Sequence, residues 1–320
     1  MSEDVSCRAI EPELATVAAG EGRAGAAERV ERHVAHCAPC RDELERYRAV
    51  EGMLGSLRRA PLSDDDATLS RAHLASRLAD LRSRMLGFAV FPSPLGRVLI
   101  GRSEQGVAVV QYVPEGGVLP AHVRQLLGDD AVEDRAATED LWAELLEYLR
   151  GDRARLEWPL DLRRMRSDFQ RRVLEATAAL PYGAVTSYAG IAMRIGAPAA
   201  ARPVAQALRW NPLPIIIPCH RVIGSAGTLT GYAGHRVDLK QRLLAVEGVK
   251  TVAAGGALRI RREAMYCLVN GEREYCLPSC GSALTDSLAG LTLFGTRAGA
   301  EAAGLQPCGS CRPDLHPLAA

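Results

Sequence analysis

The sequence predicts a multi-domain α/β protein with a small metal-binding module at each end, and three observations predict it. The chain has 320 residues, enough for two or three domains. Seven of its nine cysteines fall into two groups, Cys7, Cys37 and Cys40 near the start and Cys276, Cys280, Cys308 and Cys311 near the end. Between them, short apolar runs broken by Pro, Gly and Ser give way to helical periodicity with an excess of arginine. Hydrophobic content of 48% and charged content of 24% are those of a globular protein in water. No run of eighteen apolar residues occurs, and the start, MSEDVSCRAIEPE, is acidic, unlike a signal peptide. A cytoplasmic protein with no membrane partner is expected. In a reducing compartment C-x-x-C and C-x-x-x-C spacings are metal ligands more readily than disulfides.

Residues 1–60 read as a helical metal module. Cys7, His33, Cys37 and Cys40 form C-x25-H-x3-C-x2-C, and one helix through ERVERHVAHCAPC places His33, Cys37 and Cys40 on a single face. Three thiolates and an imidazole suit structural zinc, which leaves no open position. The alternative, a redox C-x-x-C, lacks a βαβ setting. His36 competes with His33, which is preferred for sharing the cysteine face. Pro61 to Thr68 reads as a solvated boundary, with Asp66 or Thr68 as a cap. Over residues 61–85, Leu69, Leu74, Leu78, Leu81 and Met85 form the stripe of an amphipathic linker helix.

From residue 86 to 160, FAVFPSPLGRVLIGRSEQGVAVVQYV reads as strands and hairpins, followed by helices at Ala121–Leu127 and Glu139–Tyr148. This α/β segment shows no nucleophile with a partner, so its expected role is structural. Residues 161–250 contain a helix from Phe169 to Leu180, a turn at Pro181-Tyr182-Gly183, a helix capped by Ser187 and ended by Gly196, and another beginning in AAARPVAQALRW. This is the outline of a helix-turn-helix. Residues 163–250 carry thirteen Lys/Arg against four Asp/Glu, a balance of +9 that favours a polyanion, whereas residues 252–320 carry six of each.

The most informative stretch is NPLPIIIPCHRV, Asn211 to Val222. Leu213 and Ile215 to Ile217 look like a short buried strand stopped by Pro218. Cys219 and His220 follow, a nucleophile's setting in which a neighbouring imidazole or helix end lowers the thiol pKa. The bland alternative is an inert core cysteine. A cysteine hydrolase is disfavoured because Cys219 and His220 are adjacent and no second His stands in a suitable motif.

PCHRV preceded by Asn-Pro and followed by Gly231-Tyr232 and LLAVEG resembles the O6-alkylguanine-DNA alkyltransferases, from about Phe88 to Val249. The resemblance implies a ribonuclease-H-like α/β domain that buttresses a winged helix-turn-helix-like catalytic domain, monomeric and acting once. In this reading Arg202 fills the gap left by a flipped-out guanine, Ala205 lies in the groove-facing helix, and Tyr232 lines the pocket. Cys219 attacks the alkyl carbon of O6-methylguanine, or of O4-methylthymine. His220 takes its proton through a water, Glu247 orients His220, Tyr188 protonates the leaving oxygen, and Asn211 pins the turn. Arg221 makes an ion pair with Glu247. The product is a thioether, and no cofactor is needed for the transfer. Two departures from the family pattern are His235 for the last glycine of Gly-Tyr-x-Gly-Gly and Ala205 for glycine after Val204.

Residues 258–320 follow a Gly/Ala linker near Ala253 to Ala257. Cys276 and Cys280 in EYCLPSC, with Cys308 and Cys311 in QPCGSCRPDL, make a second, four-thiolate zinc site. This segment resembles the metal-binding domain of the Ada protein, which implies that Cys276 takes a methyl group from a phosphotriester. Leu277, Gly309 and Ser310 stand where that family is basic. Cys267 is left over as a core residue. Residues 1–60 resemble the zinc-binding anti-sigma domain, which implies a sigma factor as a partner and makes a damage- or redox-responsive regulator the competing function.

Overall fold

The computed structural model describes residues 7–59, 64–116, 118–163, 165, 167–283 and 287–318. The chain divides into two compact units, residues 1–77 and 78–320.

In the first unit α1 (Cys7–Ala18), α2 (Ala26–Val34) and α3 (Ala38–Arg59) close over Ile10, Leu14, Val30, Cys40 and Leu44. The expected single helix through His33, Cys37 and Cys40 is interrupted. Helix α2 stops at Val34 and α3 starts at Ala38, so Cys37 lies in the turn. Arg41 holds that turn by donating to the Val34 and Ala35 carbonyls, both at 2.9 Å. Helix α4 (Asp64–Arg84) begins before the expected cap, and Thr68 instead donates back to the Asp64 carbonyl. The boundary residues 60–63 lie outside the described residues. The stripe on α4 is not buried: Leu69, Leu74, Leu78 and Leu81 are 45–69% exposed.

In the second unit two serine turns shape the first sheet. Ser93 Oγ accepts from Leu95 N and donates to the Gly96 carbonyl, and Ser103 Oγ accepts from Gln105 N. They fold β1 (Gly87–Ser93), β2 (Gly96–Ser103) and β3 (Gly106–Val113) into an antiparallel meander, with Gly96 and Gly106 at positive φ where the chain reverses. After α5 (Ala121–Leu127), the short β4 (Val132–Glu133) pairs parallel with β1, giving the order β3-β2-β1-β4. Helix α6 (Glu139–Arg150) lays Leu141, Leu145 and Tyr148 on this sheet, at the i, i+4, i+7 spacing of one face.

The remaining helices share that core. Ser167 caps α7 (Asp168–Ala178) by accepting from Gln170 N at 3.2 Å. The turn expected at Pro181-Tyr182-Gly183, with Gly183 at φ +70°, leads to β5 (Ala184–Ser187), a strand between it and the helix capped by Ser187 to which the sequence gives no assignment. Ser187 then caps α8 (Tyr188–Arg194) by accepting from Gly190 N at 3.0 Å. Helix α9 (Ala201–Arg209), strand β6 (Val222–Ile223) and helix α10 (Val237–Val246) complete this part. Val173, Leu174, Leu208 and Leu213 pack in one cluster with Phe91, Val98 and Ile100.

The expected linker at Ala253 to Ala257 is a hairpin, β7 (Thr251–Ala254) with β8 (Ala257–Ile260), turned by Gly255 and Gly256 at positive φ. Beyond it β9 (Tyr266–Val269), β10 (Glu274–Cys276), β11 (Leu291–Phe294) and β12 (Gln306–Pro307), with α11 (Arg297–Ala302) between the last two, do not form a sheet of their own. They extend β5 and β6 into one six-stranded sheet, β12-β10-β9-β11-β5-β6, in which Leu293 lies opposite Val185. Val185, Ile223, Leu244 and Val249 are buried in one cluster with Cys267, Cys276, Cys280 and Cys308. The joint is tight. A Cβ on Gly190 would run into Thr186 Oγ1 and come within 3.2 Å of the Ala289 carbonyl. Gly190→Ala is therefore expected to destabilise the chain by about 1–3 kcal/mol in denaturant unfolding.

Candidate active site and metal centres

Leu213 to Ile217 is not a strand. Pro212 and Pro214 have no N–H to donate, and the chain turns so sharply that Ile215 takes φ +78°. Asn211 holds the turn from inside: its Nδ2 donates to the Ile217 carbonyl at 2.9 Å, and its Oδ1 accepts from Leu213 N at 3.0 Å. Ile217 N closes the turn on the Leu213 carbonyl. A non-glycine residue in the left-handed region persists only where its surroundings over-determine it. The turn delivers Cys219 into a 3-10 turn, Cys219–Arg221, which runs directly into β6.

Cys219 is half-buried, whereas His220 is fully buried. Burial pushes the Cys219 thiol up, against the opposing effects of the Asn211 side chain and the Lys240 charge. The expected resting thiolate is thus replaced by a thiol that needs a base. Burial likewise lowers His220, with the Arg221 and Lys240 charges acting the same way against Glu247, so the ring is neutral near pH 7. His220 Nε2 lies 2.6 Å from Glu247 Oε1, and Nδ1 is buried with no hydrogen-bond partner among the described residues. A carboxylate on Nε2 fixes the proton there and leaves Nδ1 as the acceptor.

Glu247, at the C-terminal end of α10, gathers donors from three parts of the chain. Arg221 grips both oxygens, Nε to Oε2 at 2.8 Å and Nη2 to Oε1 at 3.0 Å. Gly183 N donates to Oε2 at 3.1 Å, and the Tyr148 hydroxyl donates to Oε1. Burial alone would raise this carboxyl, but His220 and Arg221 outweigh it and bring its pKa down to about 2.

Tyr188 donates to the Thr230 carbonyl at 3.3 Å, and burial raises its pKa, so the phenol keeps its proton. Tyr232 is buried, with its ring edge-on to His220 at 6.3 Å and its hydroxyl 3.0 Å from that of Tyr112. Arg202 and His235 are exposed, and Ala205 is half-buried on the same helix as Arg202.

Three residues of this site escaped the sequence reading. Lys240 is fully buried, donating to the Val222 and Thr230 carbonyls at 2.6 and 2.9 Å, and burial takes its pKa down to about 8. Its place at i+3 from Val237 and i−4 from Leu244 was the available signal. Tyr112 and Tyr148 come from the segment expected to be purely structural, and their positions on apolar faces made them look like ordinary core residues.

Both metal clusters gather as expected. In each, the four ligand atoms lie within 4.8 Å of one another, and no disulfide joins any cysteine among the described residues. In the first, Cys7 Sγ and Cys37 Sγ are 3.6 Å apart, and His33 Nε2 is buried with no hydrogen-bond partner among the described residues. An imidazole nitrogen orphaned beside three thiols fits a metal ligand, whereas His36 is exposed. In the second, Cys276, Cys280 and Cys308 are buried and Cys311 is half-buried. Cys276, the expected methyl acceptor, is thus only 5% exposed.

Two family models match, the DNA-binding domain of 6-O-methylguanine DNA methyltransferase over residues 168–249 and the metal-binding domain of Ada over residues 260–314. A methylated-DNA–protein-cysteine methyltransferase of Mycolicibacterium paratuberculosis is 51% identical over 104 residues, 32% of this chain and 61% of that protein. The constitutive one of Bacillus subtilis is 34% identical over 49% of this chain and 92% of that protein. Among solved structures, Mycobacterium tuberculosis OGT in complex with DNA is 34% identical, covering 50% of this chain and 92% of that one, with a TM-score of 0.44.

Proposed function

Because the chain belongs to the methylated-DNA–protein-cysteine methyltransferases, we propose that Cys219 takes the alkyl group from O6-methylguanine in double-stranded DNA. The protein is a DNA-repair methyltransferase. The observation that carries the assignment to Cys219 is a buried imidazole nitrogen, His220 Nδ1, with no hydrogen-bond partner among the described residues, next in the chain to a half-buried thiol.

The modified oxygen lies inside the duplex, so the base must leave the stack. Arg202, exposed near the start of α9, is placed to fill the vacated space, with Ala205 one turn on allowing close approach to the groove. Tyr232 forms the pocket wall behind His220. His220 Nδ1 takes the Cys219 proton through a water, the thiolate attacks the alkyl carbon in line, and the C–O bond breaks. Tyr188 gives the leaving oxygen a proton and takes one back from solvent, while His220 releases to solvent the proton it took from Cys219. The thioether formed has no route back to thiol, so each chain acts once and the transfer needs no cofactor.

Arg202→Ala is expected to slow transfer from duplex DNA by roughly tenfold or more while leaving transfer from the free modified base nearly unchanged; rates on the two substrates check this. Radiolabelled methyl groups from a duplex whose only lesion is O6-methylguanine should reach one per chain in the parent protein and none in Cys219→Ala. Label retained on Cys219→Ala would overturn the assignment.

The finer organisation follows the same reading. The order β3-β2-β1-β4, with β4 parallel to β1, supports a ribonuclease-H-like first half over residues 86–160, and α8 and α9 with β5 and β6 beside them support a winged helix-turn-helix over residues 161–250. The donor sets fit two zinc sites, Cys7, His33, Cys37 and Cys40 in the module of residues 1–60, and Cys276, Cys280, Cys308 and Cys311 in residues 258–320. Zinc bound at either supplies structural cross-linking. No helix among the described residues is long and apolar enough to cross a membrane; a cytoplasmic location is part of this reading because the substrate is DNA. A sigma-factor partner for residues 1–60 rests on their ligand pattern, and a pull-down that requires His33 tests it.

A further inference from the structure

Glu247 Oε1 is shared. It meets His220 Nε2 at 2.6 Å and Arg221 Nη2 at 3.0 Å, and it also accepts a hydrogen bond from the hydroxyl of Tyr148, which lies 99 residues earlier, near the end of α6. The direction of the phenol's bond is fixed. Arg221 Nη2 donates to the Tyr148 oxygen at 3.3 Å, so the one phenolic proton is left for the carboxylate. The ring cannot swing away, being 2% exposed and packed edge-on against Tyr182 at 5.9 Å.

We propose that Tyr148 is a positioning residue of the alkyl-transfer site, its phenol sharing Glu247 with His220 and so setting how strongly that carboxylate holds the imidazole. This rests on the reading of His220 as the base for Cys219. A hydrogen bond into Oε1 spreads its negative charge and weakens its grip on an imidazolium at Nε2. Without the phenol the same oxygen stabilises the charged ring more, and His220 releases its proton at higher pH. The other groups facing His220 and Glu247 are Cys219 and Arg221 from the 3-10 turn, Tyr182 from the turn before β5, Tyr232 from the loop before α10, and Lys240 from α10. Arg221 already donates to Oε1 with the phenol in place, and the two remaining phenols are engaged elsewhere: Tyr182 donates to the Val246 carbonyl, and Tyr232 pairs with Tyr112. The first half of the second unit thus acts on the chemistry without touching the substrate.

The test is the single-turnover rate of methyl transfer from an O6-methylguanine duplex as a function of pH, using the full chain. Tyr148→Phe is expected to move the acid limb of the profile upward by about one unit, the scale of one lost charge-assisted hydrogen bond shared among competing partners. At the parent's midpoint the variant would then be about fivefold slower, with the two rates converging at higher pH. Tyr182→Phe, which removes no bond to Glu247, should leave the limb in place. In the parent protein carrying tyrosine labelled at Cζ, a Tyr148 hydroxyl proton protected from exchange with solvent is expected; its absence overturns the proposal even if the variant fails to fold. Superimposed profiles for parent and Tyr148→Phe, with Cys219 methylated in both, overturn the proposal alone. A parent protein never methylated on Cys219 overturns the function reading and this proposal with it.

Discussion

Glu247→Gln is expected to lower the stability of the second unit by about 3–5 kcal/mol, because it leaves the buried Arg221 guanidinium without its counter-charge. The amide is nearly isosteric, so no cavity contributes. Transfer to Cys219 should slow by roughly a hundredfold or more, since the amide NH2 group can face His220 Nε2 and release the tautomer that keeps Nδ1 free. Equilibrium denaturation and single-turnover rates measure the two effects separately. The pH dependence carries a sign that checks the assignment. The folded carboxyl titrates at about 2, and the unfolded one at about 4.3. Stability from Glu247 is therefore complete above about pH 4.3 and is lost as pH falls toward 2, up to about 3 kcal/mol. Glu247→Gln should lack this acid limb. If it keeps the limb, or unfolds at the parent's denaturant midpoint, the buried cluster is not what holds this part of the chain together.

Removing the metal from the Cys276, Cys280, Cys308 and Cys311 cluster should have the second large effect, and on a region that does not bind it. Cys276 ends β10, three strands of the same sheet away from β5, which runs into Tyr188 and pairs with the strand that follows Cys219. Three of the four thiols share an apolar cluster with Val185, Ile223 and Leu244. Chelation, or Cys280→Ser, is expected to lower the melting temperature of the whole second unit by roughly 10–20 °C, equivalent to about 5 kcal/mol for a domain of this size. Hydrogen exchange should rise in β5 and α8 as well as in residues 258–318. Exchange confined to the four-cysteine region would show that the sheet, though continuous, does not unfold as one unit.

Much of the candidate site was legible because its chemistry is local in sequence. Cys219, His220 and Arg221 are adjacent, and Asn211 stands a fixed turn away. What was not legible depends on where elements meet. Three consecutive isoleucines looked like a strand, yet Pro212 and Pro214 on one side and the Asn211 side chain on the other override that propensity and force Ile215 to positive φ. The Gly/Ala stretch at residues 253–257 had the composition of a linker, and glycines at a hairpin turn have the same composition. Nothing in residues 139–150 marked Tyr148, because a tyrosine on an apolar helix face looks the same whether its hydroxyl meets solvent or a buried carboxylate. Lys240 was overlooked because lysines are seldom fully buried, although its neighbours Leu239, Leu243 and Leu244 all are.

The most direct measurement is peptide mapping by mass spectrometry after the full chain has met a duplex holding one O6-methylguanine. A single methyl group on the peptide that contains Cys219, with the chain then inert toward a second duplex, is the expected result. A methyl group found instead on Cys276 or Cys311, or repeated turnover by one chain, would contradict the account.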